Sequence, residues 1–192
     1  MLATFGREIE ALARSGIAVS GLREGALAPD FTLPDVHGRA VTLSALLQQG
    51  PVVLTFYRGE WCPYCNLQLR AYEATLSQIR ALGASLVAVS PQTPDHSLAT
   101  MEQKGLTFPV LTDAGNEVAR RYGLVYPLSH TLRAVSPDLP AYNGDESWEL
   151  PIPATFVIAP DGTVRVAFVE ADWTRRLEPT ALLDALRALS TH

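Results

Sequence analysis

A nearly continuous apolar run, Val52 to Tyr57, leads into Trp61-Cys62-Pro63-Tyr64-Cys65, after which the chain changes to helical periodicity. Continuity without polar alternation marks a strand buried on both faces, the usual state of a central strand in a helix-covered sheet. Leu69, Tyr72, Leu76 and Ile79 then recur at helical spacing until Gly83, and Ser85 to Val89 is a second buried strand. Strand, long helix and strand make a right-handed crossover with the cysteines at its first strand-to-helix junction. Open α/β sheets place their chemistry at such junctions.

Cys62 and Cys65 are the only two cysteines of the chain. A disulfide between them closes a ring too small to constrain the unfolded chain, so the spacing points to redox chemistry more than to a crosslink. A thiol in the first turn of a helix faces unpaired backbone N–H groups and the positive end of the helix dipole, which favour the thiolate. The pair is therefore expected to form a reversible intramolecular disulfide.

The flanking sequence extends the pattern. Phe5, Ile9 and Leu12 predict a short amphipathic helix ended by Gly16. Ala28–Leu33 and Ala40–Leu43 flank turn residues and lead into a small helix over Ser44–Gln48. Pro94–Lys104 is predicted as a helix, Phe108–Leu111 as a short strand, and Ala114–Tyr122 as one helix closed by Gly123. Thr155–Ala159 and Thr163–Phe168, joined by Pro160-Asp161-Gly162, predict a hairpin, and Leu182, Ala185, Leu186 and Leu189 a closing helix. Leu124–Pro151 has several prolines and little periodicity, and is read as a long functional loop. Its Tyr142, Asn143, Asp145 and Trp148 are expected to form a lid or substrate rim, an ordinary surface loop being the alternative.

The chain of 192 residues is 47% hydrophobic, enough for one substantial core. Residues 1–24 are read as an N-terminal helical extension and 25–192 as the domain. A net charge of −5 without clustered Lys or Arg argues against nucleic acid as a partner. Arg7, Glu8 and Glu10 interrupt the apolar start, and no stretch is long enough to span a bilayer, so no membrane association and a cytoplasmic location are expected. There a disulfide is transient and catalytic. With no second cysteine pair, and with His37, His96, His130 and His192 at no paired ligand spacing, no metal and no cofactor are expected.

Four segments together resemble the thioredoxin-fold superfamily, and within it the peroxiredoxin-like family of alkyl hydroperoxide reductases and thiol-specific antioxidants. These are Ala28-Pro29-Asp30-Phe31-Thr32-Leu33, Phe56-Tyr57-Arg58-Gly59-Glu60-Trp61-Cys62-Pro63-Tyr64-Cys65, Phe108-Pro109-Val110-Leu111-Thr112-Asp113 and Ile152-Pro153-Ala154-Thr155-Phe156. The resemblance covers roughly residues 25 to 190 and implies a thioredoxin-like α/β fold with a central mixed sheet flanked by helices. It also implies a cis Ile152-Pro153 bond packed against the cysteines.

In the family's Pro-x-x-x-Thr-x-x-Cys register, Arg58 stands at the proline position, Cys62 at the threonine and Cys65 at the peroxide-attacking cysteine. The resemblance thus implies a thiol-dependent peroxidase acting on hydrogen peroxide or organic hydroperoxides, with Cys65 attacking, Cys62 resolving and an external thiol such as thioredoxin or glutathione reducing the pair. Cys-Pro-Tyr-Cys is itself glutaredoxin-like, and in the thioredoxin pattern Cys62 attacks, so a disulfide reductase stays open. Phe56 stands where thioredoxins carry a buried acid. A redox-sensing or binding module that turns over poorly is a further alternative, and a homodimer is left open. Arg58 is a candidate site residue against the ordinary reading of a loop arginine, and Trp61 is expected to shield the thiols or simply to pack. Antiparallel pairing of the hairpin should return Glu170–Arg176 to the Pro153 end of the sheet, so Asp172 or Arg175 is a candidate for proton transfer or peroxide binding; a capping aspartate and surface arginines are the alternative.

Overall fold

The computed structural model describes residues 2–190, and His192 lies outside them. The chain begins with α1 (Leu2–Arg14) and α2 (Ile17–Ser20), separated by Gly16 in the left-handed conformation. A small antiparallel ladder, β1 (Thr32–Pro34) with β2 (Ala40–Thr42), precedes α3 (Leu43–Leu47). The crossover follows as expected: β3 (Val52–Phe56), α4 (Pro63–Ala81) and β4 (Ser85–Ser90), with β3 and β4 parallel. Pro63 occupies the first turn of α4, where its missing N–H costs no hydrogen bond and its fixed φ suits the helix.

Next come α5 (Pro94–Lys104) and β5 (Val110–Thr112), which pairs parallel with β4. The single helix expected over 114–122 is instead a 3-10 turn, Ala114–Asn116, followed by α6 (Glu117–Arg121). Gly115 and Asn116 both take positive φ, which breaks the helical path. The buried Asp113 carboxylate caps the second piece, accepting 2.9 Å bonds from the N–H groups of Val118 and Ala119.

The segment expected as a long loop is folded. β6 (Val125–Pro127), α7 (His130–Arg133), α8 (Leu139–Asn143) and β7 (Glu149–Pro151) form a subassembly in which β6 and β7 pair antiparallel. Each element has three to five residues, too short to show a period in the sequence, and the pairing is non-local. Tyr126, Leu128, Leu132, Leu139, Leu150, Ile152 and Trp173 give it a core of its own, against which Phe5, Ile9 and Leu12 of α1 pack.

β8 (Ala154–Ile158), β9 (Val164–Val169) and α9 (Pro179–Ser190) complete the described chain. The main sheet has the order β5-β4-β3-β8-β9, mixed because β8 runs antiparallel to both of its neighbours. Every residue of β3 is buried, since both faces of the sheet are covered. Val53 lies with Leu69, Tyr72, Leu76 and Leu182 on the face covered by α4 and α9, while Val52, Leu54 and Phe56 meet Phe31, Leu43, Val118 and Tyr122 on the other. No described helix is long and apolar enough to cross a membrane.

Candidate functional site

The end of β3 and the start of α4 bring the two sulfurs together. Cys62 is the N-cap of α4 with extended backbone, and its sulfur accepts the N–H of Cys65 at 3.4 Å, as a serine hydroxyl would at this position. Both thiols are buried and reduced. Arg58 Nη2 stands 3.3 Å from Cys62 Sγ, and Arg176 Nη2 stands 3.4 Å from Cys65 Sγ. Neither guanidinium makes an ion pair with a carboxylate among the described residues. Arg58 is buried with its cation 5.2 Å from the ring centres of both Trp61 and Trp173.

Two positive charges therefore face one pair of thiols. Burial opposes ionisation of Cys65, but a hydrogen bond from Cys62 and the charges of Arg58 and Arg176 outweigh it and hold the Cys65 thiol well below its ordinary value. Cys62 moves the other way: its hydrogen bond to Cys65, its burial and the negative charge on Cys65 push it up, against the pull of Arg58. Both directions favour the negative charge on Cys65 over Cys62.

The loop between β3 and Cys62 is tied down. Glu60 N–H donates to Gln92 Oε1 at 2.6 Å, and Asn66 Nδ2 donates to the Glu60 carbonyl at 2.7 Å. Gln92 Nε2 bonds the buried Tyr57 hydroxyl at 3.1 Å, and His96 Nδ1 lies 2.7 Å from Glu60 Oε1. Gly59 is required here: a Cβ on it would meet Trp61 Nε1 at 2.4 Å.

Two cavities flank the helix start. One, of about 560 Å³, is lined by Arg58, Trp61, Pro63 and Tyr126 together with apolar side chains of α1 and the β6–β7 subassembly. The other, of about 600 Å³, is lined by Tyr64, Gln68, Tyr72, Arg175 and Arg176, on the side of Cys65.

Of the residues singled out from sequence, Cys62, Cys65, Arg58 and Trp61 lie together. Pro153 is buried at the β8 end of the sheet, but no peptide bond among the described residues is cis, so the expected Ile152-Pro153 isomer is corrected to trans. The chain runs from β7 directly into β8, with Ile152 N–H donating to Leu124 O, and no turn is needed there. The antiparallel register alone, Phe56 opposite Ala154 and Ala154 opposite Val169, returns the exit of β9 to this end. The residue it delivers to the thiols is Arg176. Arg175 is exposed and pairs with Glu170 at 3.6 Å, and Asp172 closes a local turn by accepting from Thr174 N–H and Oγ1 at 3.0 and 2.6 Å. Adjacent arginines were visible in the sequence, but which one turns inward depends on how the segment leaves the sheet.

The expected rim is built differently as well. The Tyr142 ring lies 4.4 Å from that of His96, Asn143 is buried, Asp145 accepts from Ser147, and Trp148 carries Arg133 over its face at 5.6 Å. Leu128, Leu132 and Val135 line the cavity instead. Among the described residues no three His, Cys, Asp or Glu side chains cluster as metal ligands.

Peroxiredoxin Q from chloroplasts of Triticum aestivum is 32% identical over 120 residues, 62% of this chain and 55% of that protein. The corresponding Sedum lineare protein is 33% identical over 109 residues, 57% of this chain and 58% of that one. The chain thus spans just over half the length of these relatives. The structure of peroxidoxin BcpB from Mycobacterium tuberculosis superposes with a TM-score of 0.70 at 26% identity, covering 88% of this chain and 98% of that one. Xanthomonas campestris peroxiredoxin Q, at 20% identity and a TM-score of 0.65, covers 83% of this chain and 91% of its own and shares the fold. The family model described as AhpC/TSA matches residues 25–167, and the chain belongs to that family, with a thioredoxin-type, peroxiredoxin-like fold.

Proposed function

We propose that the protein is a thiol-dependent peroxidase in which Cys65 attacks the peroxide and Cys62 resolves. The observation that carries this reading is the pair of guanidiniums, unpaired with any described carboxylate, on the two sulfurs. One thiolate leaves a surplus positive charge, which suits the oxygen anion that departs as the O–O bond breaks. Cys65 thiolate displaces RO⁻ from ROOH and becomes sulfenic acid, and RO⁻ leaves as ROH after taking a proton. The negative charge on Cys65 has then gone, and Arg58 is free to stabilise Cys62 as thiolate. Cys62 attacks the sulfenic sulfur, releasing water and closing the Cys62–Cys65 disulfide, which an external thiol reduces. Thioredoxin and glutathione are the donors to try first, and a reducing cytoplasmic compartment is the setting that would recycle the pair.

A disulfide reductase with Cys62 as nucleophile is the second reading, favoured by the position of Cys62 as N-cap beside Arg58. Single-turnover oxidation with a sulfenic-acid trap separates the two. Cys62→Ser should consume one equivalent of peroxide and be trapped, and Cys65→Ser should be inert. Rapid reaction of Cys65→Ser with an inert Cys62→Ser would reverse the roles.

A further inference from the structure

The two cavities differ in chemistry, and the difference assigns them different reactants. On the Cys65 side, the buried Gln68 Oε1 and Arg176 Nε have no hydrogen-bond partner among the described residues. One is an acceptor and the other a donor, both buried in the wall and not at its surface, and their chemistry matches a hydroperoxide, whose O–H must be accepted while its oxygen accepts. On the Cys62 side, the groups left without a well-formed hydrogen bond in residues lining the cavity include Arg58 Nε and the Tyr126 hydroxyl. Tyr126 lies close enough to Arg58 for the cation to oppose the upward pull of burial on the phenol. Arg58 Nε donates from a cation and the phenol can donate as well as accept, so the pair suits an anion. The remaining wall is apolar: Phe5 and Ile9 of α1, Leu128, Leu132, Val135 and Leu150, with Trp173 packed edge-on against Phe5 at 6.5 Å.

The geometry points to this second cavity as the entry site of the reductant, a low-molecular-weight thiol with an apolar body that attacks Cys62 as its thiolate. The inference rests on the peroxidase reading and names the reducing partner of the same disulfide. Cys62 itself is buried, and Arg58, which contacts it, and Trp61 and Pro63, its chain neighbours, line the cavity, so this is the wall through which Cys62 would be approached. Attack forms a mixed disulfide R–S–S–Cys62 and expels Cys65 as thiolate onto Arg176. A second thiolate then attacks the R sulfur, giving the disulfide of the reductant and releasing Cys62 as thiolate beside Arg58. An enclosed cavity of about 560 Å³ suits a small molecule more than the flat contact of a protein donor. Phe5, Gly6 and Ile9 of α1, with Trp173 and Thr174, lie outside the family match at 25–167, and the rest of the lining lies within it.

The test separates the two half-reactions. The protein is first oxidised with one equivalent of peroxide and no thiol, which examines the peroxidase reading alone. The disulfide form is then mixed in stopped flow with 2-phenylethanethiol, 2-mercaptoethanol, dithiothreitol or a thioredoxin, with rates compared at equal thiolate concentration. The aromatic thiol should react about tenfold or more faster than 2-mercaptoethanol, as expected for burial of its ring. Acid-quenched mixed disulfide should map to Cys62 by fragmentation mass spectrometry. Leu132→Trp and, should that variant fail to fold, Val135→Trp at the exposed mouth should cut the preference for the aromatic thiol at least about fivefold by filling the cavity. A protein that oxidises normally but shows no preference for the aromatic thiol, adduct on Cys65, or a thioredoxin that outpaces every small thiol would each overturn the inference while leaving the peroxidase reading standing.

Discussion

Replacing Arg176 by glutamine removes the guanidinium 3.4 Å from the Cys65 sulfur and leaves Arg58 in place. Two unit charges at that separation attract by about 5 kcal/mol at an effective dielectric constant near 20. Arg176 is only partly buried, and Arg58 still acts on the thiolate, so solvent screening and the remaining cation reduce the net loss to about 2 kcal/mol. That corresponds to about a thirtyfold smaller thiolate fraction at pH values below the Cys65 midpoint, and to a further loss of rate if the same guanidinium also holds the departing oxygen. The measurement is single-turnover oxidation followed by tryptophan fluorescence across a pH series, with thiolate absorbance read in parallel. Arg176→Gln should move the midpoint of both profiles upward, and Arg176→Lys should recover part of the rate by restoring the charge. Arg175→Gln should cost less than Arg176→Gln and leave the midpoint unchanged, because Arg175 lines the same cavity but pairs with Glu170. An Arg176→Gln protein that reacts within about twofold of the parent at an unchanged midpoint would refute the assignment of Cys65 as the thiolate beside Arg176.

Two further outcomes follow from the same geometry. Folded Cys65 holds its proton less tightly than the unfolded chain, so it contributes stability that grows as pH rises from its folded value toward the ordinary 9.0 and is lost as pH falls; Cys62, held protonated, contributes in the opposite sense, and its share is lost above 9.0. Urea midpoints of the reduced protein should therefore rise with pH up to about 9, and Cys65→Ser should abolish that rise. A Cys65→Ser protein with the parent's pH dependence would contradict it. Gly59→Ala places a methyl group 2.4 Å from Trp61 Nε1 at φ 154°, so it should destabilise by about 1–3 kcal/mol and slow peroxide reaction by displacing Trp61 from Arg58. Urea unfolding together with single-turnover kinetics checks both effects; an unchanged midpoint would show that the loop absorbs the methyl group.

The sequence by itself determined the crossover unit and the place of the thiols. A nearly continuous apolar strand, a cysteine pair at a helix start and an i, i+3, i+4 stripe are local patterns, and local hydrogen bonding and burial on two faces suffice to enforce them. The hairpin and the return of its exit to the active end were also legible, because antiparallel pairing fixes where a partner strand finishes. Only the tertiary structure decided which arginine arrives there. Asp172 folds the exit of β9 into a turn, and that turn sends Arg175 to Glu170 and Arg176 to Cys65. The 124–151 segment escaped sequence reading for a related reason: its strands pair across more than twenty intervening residues, and its short helices are held by α1 and Trp173 rather than by their own periodicity. The ionisation of the pair was equally out of reach from sequence, since the helix start favours both sulfurs. The choice of Cys65 depends on Arg58, four residues before Cys62, and on Arg176, brought in from 111 residues beyond Cys65, and electrostatic interaction follows distance in space, not separation along the chain.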